Sequence, residues 1–537
     1  MDSSNFSVIP SIQEMQGSLT FLGIQASRTL FILASISTFL LAVWIKSIFS
    51  RPKAPLPPGP PADPVIGHLR VIPTTGQAKV FYEWSKIYGD VIHLHSFGRS
   101  IVVLNSNEAA IELLDKRGAN YSDRPKMLIL ELMGWFPTLA FLGAGKLFLR
   151  HRKMFQHHFG PRESMTHLPI QRRQAHLLCK SLMLDTPTNT EHTEHVSRYA
   201  KAIVLEVAFG QPINSAEDEF YKFGKEITAS STGAGPIGST PVDFIPILQH
   251  FPAWFPGAYY GARAKSMYPL IRRFHDYPVE RMRKQMAEGT ANPCFLRTEL
   301  EHYPTTENDN SEDMIVVKGV ATEIYAAGAD TTFTAMHLFV LTMVLNPDCM
   351  RKAQEELDRV VGLDRLPEYS DRTLMPYIEG IVQETLRWQP SLELGIPHRS
   401  LEDDIYRGMF IPKGSTVIAN TRAITLDEKI YADPLKYDPT RYMPAPLGRG
   451  EPYPTASWGF GRRICPGRHL AHASLWLGIA TMLSTLDFSK VAGKDGKAIA
   501  PKVEFTTGLT QEQVPFPCVI RARSERAKGL ILSACAA

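Results

Sequence analysis

With 537 residues, 44% of them hydrophobic and 21% charged, the chain has an ordinary globular composition and the length for a large core. A net charge of +4 is small for that length and gives nucleic-acid binding no support. The six cysteines (Cys179, Cys294, Cys349, Cys465, Cys518 and Cys535) have no CxxC spacing, which matches neither a zinc pattern nor a disulfide framework and suits a reducing compartment.

The N-terminus departs from the rest. Thr29 to Ile45 carries no charge between Arg28 and Lys46, and Ile48 and Phe49 extend the apolar run to the length that spans hydrocarbon. A cleaved signal peptide is the rival reading, but its apolar region is shorter and closer to Met1, and no small-residue cleavage site follows Ile45. Lys46, Arg51 and Lys53 outnumber Arg28, which puts the C-terminal side in the cytosol. The organisation expected is a lumenal segment over 1–28, an anchor over 29–49, a stiff proline-rich linker over 50–61 and one undivided domain over 62–537. Asn5, in Asn5-Phe6-Ser7, is then a lumenal glycosylation candidate, whereas Asn120-Tyr121-Ser122 is silent in the cytosol.

Further along, Ala78 to Tyr88 has helical spacing, and Val91–His95 and Ile101–Leu104 read as strands joined through Ser96-Phe97-Gly98-Arg99. Asn107–Arg117 reads as a helix stopped by Gly118. The stretch from about 146 to 300 is mainly helical, with a Ser/Gly-rich break at Ser230–Thr240. The loop from Phe244 to Gly257 sets aromatics between prolines, so it is either core packing or a surface that dips into lipid. Pro304–Asp313 is a polar loop, and Ile405–Ala419 a second strand region with turns at Arg407-Gly408 and Pro412-Lys413-Gly414. The fold class is mainly α with a minor β-sheet.

Three motifs carry chemistry. Met314 to Leu345 is a long apolar helix, yet it contains Ala327-Gly328-Ala329-Asp330-Thr331-Thr332, residues that disfavour a buried helix. Small-residue helix packing explains that, or a groove in which a small ligand lies beside Thr331 while Asp330 relays protons. Glu384-Thr385-Leu386-Arg387 puts opposite charges on one helix face, and apolar neighbours suggest burial, with Arg441 available as a further partner. Trp458-Gly459-Phe460-Gly461-Arg462-Arg463-Ile464-Cys465-Pro466-Gly467 sets a thiol beside two arginines, just before a helix beginning near Arg468. Both features favour a thiolate, as a metal ligand or nucleophile; a buried structural cysteine is the plain alternative.

The cysteine segment resembles the haem-binding loop of the cytochrome P450 family. The anchor, proline hinge, Asp330–Thr331 helix, Glu384-x-x-Arg387 and cysteine loop follow in that family's order, most like its fungal members. The resemblance implies a P450 fold, haem b, and Cys465 as the axial thiolate ligand of its iron. It makes Asp330 and Thr331 the acid–alcohol pair that manages protons during oxygen activation. Glu384, Arg387 and Arg441 become a structural triad. Arg152, His398 and Arg463 become contacts to the haem propionates, and Trp458, Gly459, Gly461 and Gly467 shape the loop. Two departures stand out: Phe148 replaces the tryptophan expected four residues before Arg152, and Trp458 replaces a phenylalanine.

By the same resemblance the protein is a monooxygenase of the endoplasmic reticulum membrane. It takes electrons from an NADPH–cytochrome P450 reductase, with cytochrome b5 as a second donor, and binds no NADPH itself. Apolar residues in the expected substrate walls (126–142, 321–327, 391–396 and 506–509) point to a lipophilic substrate, such as a terpenoid of secondary metabolism. Polyketide, steroid, fatty-acid and xenobiotic oxidation remain open. So do a reductase-independent haem-thiolate isomerase or dehydratase and a non-enzymatic haem-binding membrane protein.

Overall fold

The computed structural model describes residues 54–64, 66–184, 190–213, 218–232, 240–303 and 311–536, together with Thr38. The expected anchor, apart from Thr38, and Asn5 lie outside the described residues. The chain forms two units, 1–56 with Ile405–Phe410, and 57–404 with 411–537. In the first, the Phe410 amide donates to the Pro55 carbonyl at 2.7 Å. Arg407 and Gly408 take left-handed φ values of 47° and 75°, the geometry of a tight hairpin turn.

The larger unit is mainly helical, with a small sheet. Strands β1 (Val91–Ser96) and β2 (Arg99–Leu104) pair antiparallel from Val91↔Leu104 to Ser96↔Arg99. Phe97 and Gly98, at φ 46° and 76°, turn between them. Two short strands, β3 (His398–Arg399) and β4 (Thr416–Ala419), complete the sheet in the order β1-β2-β4-β3, with β4 parallel to β2. Val417, buried on β4, pairs with His398, which fixes where His398 is presented.

The helices that position the site are α1 (Lys146–Phe159), α2 (His192–Phe209), α3 (Glu219–Thr232), α4 (Glu312–Leu345), α5 (Pro376–Trp388) and α6 (Arg468–Thr485). Helix α4 begins where Ser311 Oγ accepts the Met314 amide at 3.2 Å, with Glu312 and Asp313 in the positive first turn. Asn346-Pro347 ends it. Among the described residues it is the one helix long and apolar enough to cross a membrane, yet 78% of its apolar window is buried inside the protein, as in a core helix. It packs across α2 at Gly328, where a Cβ would stand 2.7 Å from Val204 Cγ1. The small-residue packing reading therefore holds for Gly328, whatever its neighbours do.

Two expectations need correction. Gly118 does not stop a helix. Asn107–Ala110 passes into a wider π-turn over Ile111–Lys116, where the Arg117 amide reaches the Glu112 carbonyl at 3.0 Å, and Gly118–Tyr121 is helical again. Gly118 lacks the left-handed φ of a helix-ending glycine. The break expected from Ser230 comes later, because α3 continues to Thr232. The aromatic–proline loop is not core. Ile247 is 63% exposed and Trp254 81% exposed.

Candidate functional site: a cysteine loop, a cation cradle and a window in the long helix

A one-turn helix, Thr455–Trp458, leads into the cysteine loop. Gly459 and Gly461 follow with left-handed φ values of 78° and 51°, which a side chain would strain. Gly461 also lies flat on the π-turn, since a Cβ there would meet the Leu114 carbonyl oxygen at 2.4 Å. The loop closes where the Cys465 amide donates to the Trp458 carbonyl at 2.7 Å. Gly467 has an ordinary φ of −88° and open space on its Cβ side.

The charges around Cys465 are not those its sequence neighbours suggested. Arg462 is exposed, and Arg463 turns away to donate to the Ser122 and Leu142 carbonyls at 2.6 and 2.8 Å. Burial pushes the thiol up. The Gly467 N–H and the charges of Arg152 and Arg468 pull it back without overcoming burial. Arg152 reaches the loop from α1, donating to the Ile464 carbonyl at 2.6 Å. An anionic sulfur here therefore needs a stronger cation than arginine at this distance, and a metal is one. Among the described residues no three His, Cys, Asp or Glu side chains converge as a metal cage. A metal held in a macrocycle, which brings its other ligands with it, suits a single cysteine of this kind.

Beside the loop lies a cradle of cations. Arg124, Arg463 and His398 are 6%, 9% and 5% exposed. Arg124 donates to the carbonyls of Ile396, Pro397 and Ala140 at 2.7, 2.8 and 2.9 Å. His398 Nδ1 lies 2.7 Å from the Tyr121 carbonyl, which can only accept, so Nδ1 carries the proton and Nε2 does not in the neutral ring. Burial and the Arg463 charge hold Arg124 well below the usual arginine value, and burial and Arg124 do the same to His398. Arg463 falls to about 10, through burial and the Arg152 charge against Asp123. Asp123 is mostly committed elsewhere, accepting from Arg399 Nε at 2.6 Å and from the Ala144 amide. Buried cations that meet mainly carbonyls and one another fit a ligand bearing two carboxylates, and haem has two propionates.

Phe148 also has a use. The Arg463 guanidinium stands 3.6 Å from its ring centroid, so the aromatic that replaces tryptophan faces the cation that bonds the loop to Ser122.

On the other side, α4 is buried from Met314 to Tyr325 apart from Ile315, and from Thr332 to Val344. Between those stretches Ala326, Ala327, Gly328, Asp330 and Thr331 keep accessible surface. Thr331 Oγ1 donates to the Ala327 carbonyl at 2.7 Å, one turn back. Thr228 Oγ1 donates to Asp330 Oδ1 at 3.4 Å. Burial pushes the Asp330 carboxyl up, against Lys201 and Thr228.

The triad comes together completely. Arg387 Nε and Nη2 grip Glu384 Oε2 and Oε1 at 2.7 and 2.8 Å, and Arg441 Nε reaches Oε1 at 3.0 Å. All three are 0% exposed. The Asp438 amide and Tyr442 hydroxyl add bonds to Glu384 at 2.9 Å each, and Glu451 takes Arg441 Nη1 at 2.5 Å.

Sequence reasoning missed Arg124 and Glu323. The phrase Ser122-Asp123-Arg124-Pro125 gave no signal without a partner in view. Glu323 was visible as a carboxyl inside an apolar helix, two turns before Asp330. Burial pushes it up to about 7, and it accepts the Ala140 amide at 3.3 Å, while Arg124 holds the Ala140 carbonyl.

The family model for cytochrome P450 matches residues 57–516. The chain is 37% identical to cytochrome P450 monooxygenase 136 of Postia placenta over 505 residues, 93% of this chain and 94% of that one. It is 36% identical to a cytochrome P450 monooxygenase of Armillaria gallica, covering 92% and 97% of the two chains. To the P450 monooxygenase claR of Ampulloclitocybe clavipes it is 33% identical, covering 95% and 94%.

Proposed function

This chain belongs to the cytochrome P450 family, and from that premise we propose that it inserts one atom of dioxygen into a lipophilic small molecule, the other atom leaving as water. The observation that carries the reading is the buried cation cradle beside the cysteine loop, in which Arg124 and Arg463 donate to main-chain carbonyls while Asp123 is bonded to Arg399. Haem, when bound, supplies dioxygen activation and accepts electrons one at a time. Cys465 is its thiolate ligand, and Arg124, Arg152, Arg463 and His398 take the two propionates. Trp458, Gly459 and Gly467 shape the loop for the approach of a flat ring, and Gly461 seats it on the π-turn at Leu114. Asp330 holds a proton beside the window of α4, and the Thr331 hydroxyl orients the approach to it. Glu384, Arg387 and Arg441 hold the segments that carry the loop and touch no substrate.

Electrons come from an NADPH–cytochrome P450 reductase, with cytochrome b5 as a second donor. The exposed aromatic–proline loop and the apolar run over 29–49 favour the endoplasmic reticulum membrane, with the catalytic domain over 62–537 in the cytosol. Met127, Leu130, Met133 and Trp135 are buried in the first expected substrate wall, which suits an apolar substrate such as a terpenoid of fungal secondary metabolism. The test is Cys465→Ser. The carbon monoxide band of the reduced wild-type protein, in its thiolate position, is expected to disappear. Co-expression with a reductase, followed by product analysis on candidate terpenes, tests the reaction; product formed without NADPH would point instead to an isomerase or dehydratase.

A further inference from the structure

The first expected substrate wall, 126–142, is held by residues outside it. Its short helix, Leu128–Met133, has no side-chain cap of its own at Met127 and is ended by Gly134 at φ 91°. The cap comes from 114 residues away, where Asp243 Oδ1 accepts the Ile129 amide at 3.0 Å. The other oxygen of Asp243, Oδ2, serves its own turn. It accepts the Thr240 hydroxyl at 2.7 Å and the Thr240 amide at 3.3 Å. Asp243, Thr240 and Ile129 are all buried, so water competes little for these bonds.

A second bond ties the wall just past its helix. Arg272, on the long helix Tyr259–Ala287, donates to the Phe136 carbonyl at 3.1 Å. Glycines bring the two sides together. A Cβ on Gly134 would stand 3.1 Å from both Tyr268 Cδ2 and Arg272 Cδ, and one on Gly261 would touch Val242 at 3.5 Å and Leu132 at 3.9 Å. Beyond Phe136 the wall rests on the core. A Cβ on Gly319 of α4 would meet the Pro137 carbonyl oxygen at 2.4 Å, and the Ala140 amide bonds to Glu323. One end of the wall is thus fixed on a buried helix. The other is fixed to the turn over 240–244, which runs straight into the exposed aromatic–proline loop of Ile247 and Trp254.

We propose that Asp243 and Arg272 form a two-point strap that makes the exposed loop and the wall move as one body, and so sets how readily a bulky ligand passes the wall. Asp243 is the stronger point, a buried carboxylate on a main-chain amide. Arg272 is the weaker, a solvent-exposed bond to a carbonyl. Both are positioning residues that act through the wall. That the wall admits substrate rests on the monooxygenase reading; the strap itself does not.

Hydrogen exchange, read peptide by peptide on the haem-loaded full chain, tests the strap. Asp243→Ala removes a hydrogen bond to a charged acceptor and is expected to speed exchange about tenfold in 128–136 and in 244–258. Asp243→Asn keeps an oxygen for the Ile129 amide and is expected to restore most of the protection. Arg272→Met, which removes only a solvent-exposed bond, is expected to speed exchange about threefold. Wild-type exchange in both peptides of Asp243→Ala and Arg272→Met overturns the strap. Faster exchange confined to 128–136 overturns the motion as one body.

Admission is read with clotrimazole, a bulky azole that coordinates haem iron, against imidazole, a small one. Asp243→Ala is expected to speed clotrimazole dissociation about tenfold, to leave imidazole rates unchanged and to keep its reduced carbon monoxide band. Equal clotrimazole rates in wild type and Asp243→Ala overturn the role in admission. Altered exchange with no azole or carbon monoxide band in any form, wild type included, leaves the strap standing and sinks the haem-thiolate reading.

Discussion

Two groups of buried arginines differ in what answers their charge. Arg387 and Arg441 are met by Glu384 and Glu451. Arg441 is held above its ordinary value, because Glu384 and Glu451 outweigh burial. Arg124 and Arg463 donate to carbonyls, and burial carries both below theirs in spite of Asp123. The first group is finished by the protein's own anions and has no site to offer. The second leaves an electrostatic deficit that a ligand's anions would remove, which is how a structural cluster and a binding cluster with the same side chains can be told apart.

The comparison breaks most visibly at the finished group. Arg387→Ala leaves Glu384 buried and under-paired, and about 3–5 kcal/mol of stability is expected to go. Urea unfolding should show the same loss with and without haem. The pH response is next. Burial alone would raise Glu379, on α5, but hydrogen bonds from His472, Arg372 and Gln383 pull it down to about 2, from an ordinary 4.5. A depressed carboxyl stabilises the fold above its unfolded value, and that contribution disappears as pH falls from about 4.5 toward 2. Up to about 3 kcal/mol is at stake, and Glu379→Gln should flatten this part of the acid unfolding curve.

Arg124→Met sharpens the contrast. Its cost should be larger in the haem-loaded protein than in the haem-free one by about 1–3 kcal/mol, because there the ligand's carboxylates add to the weaker pull of Asp123 and Glu323. Equal costs in the two forms would erase the distinction between the groups. The smallest expected effect is at Phe148. Phe148→Leu removes the ring facing Arg463 and should weaken haem retention by about 0.5–2 kcal/mol, with Phe148→Trp restoring it.

Much of the architecture was legible because its signals are local. Runs of β-branched residues on either side of Ser96-Phe97-Gly98-Arg99 announce β1 and β2, and the apolar run closed by Asn346-Pro347 announces α4. Gly118 misled because glycine often marks a helix end, whereas here its φ is not left-handed and the chain is helical again from Gly118 to Tyr121. Arg124 was silent for a related reason: its meaning lies in carbonyls of Ala140, Ile396 and Pro397, the last two more than 250 residues away.

The sequence by itself determined the helical class, the cysteine loop, the Asp330-Thr331 step inside an apolar helix and the ExxR charges, which are legible as local patterns, while the roles of those residues came from the family resemblance. Only the tertiary structure decided which arginines have anions to meet them and that burial outweighs Arg152 and Arg468 at the Cys465 thiol. The physical reason is the same in each case. A charge's energy depends on distance and on the water removed around it, and neither is a property of the residue's position in the chain.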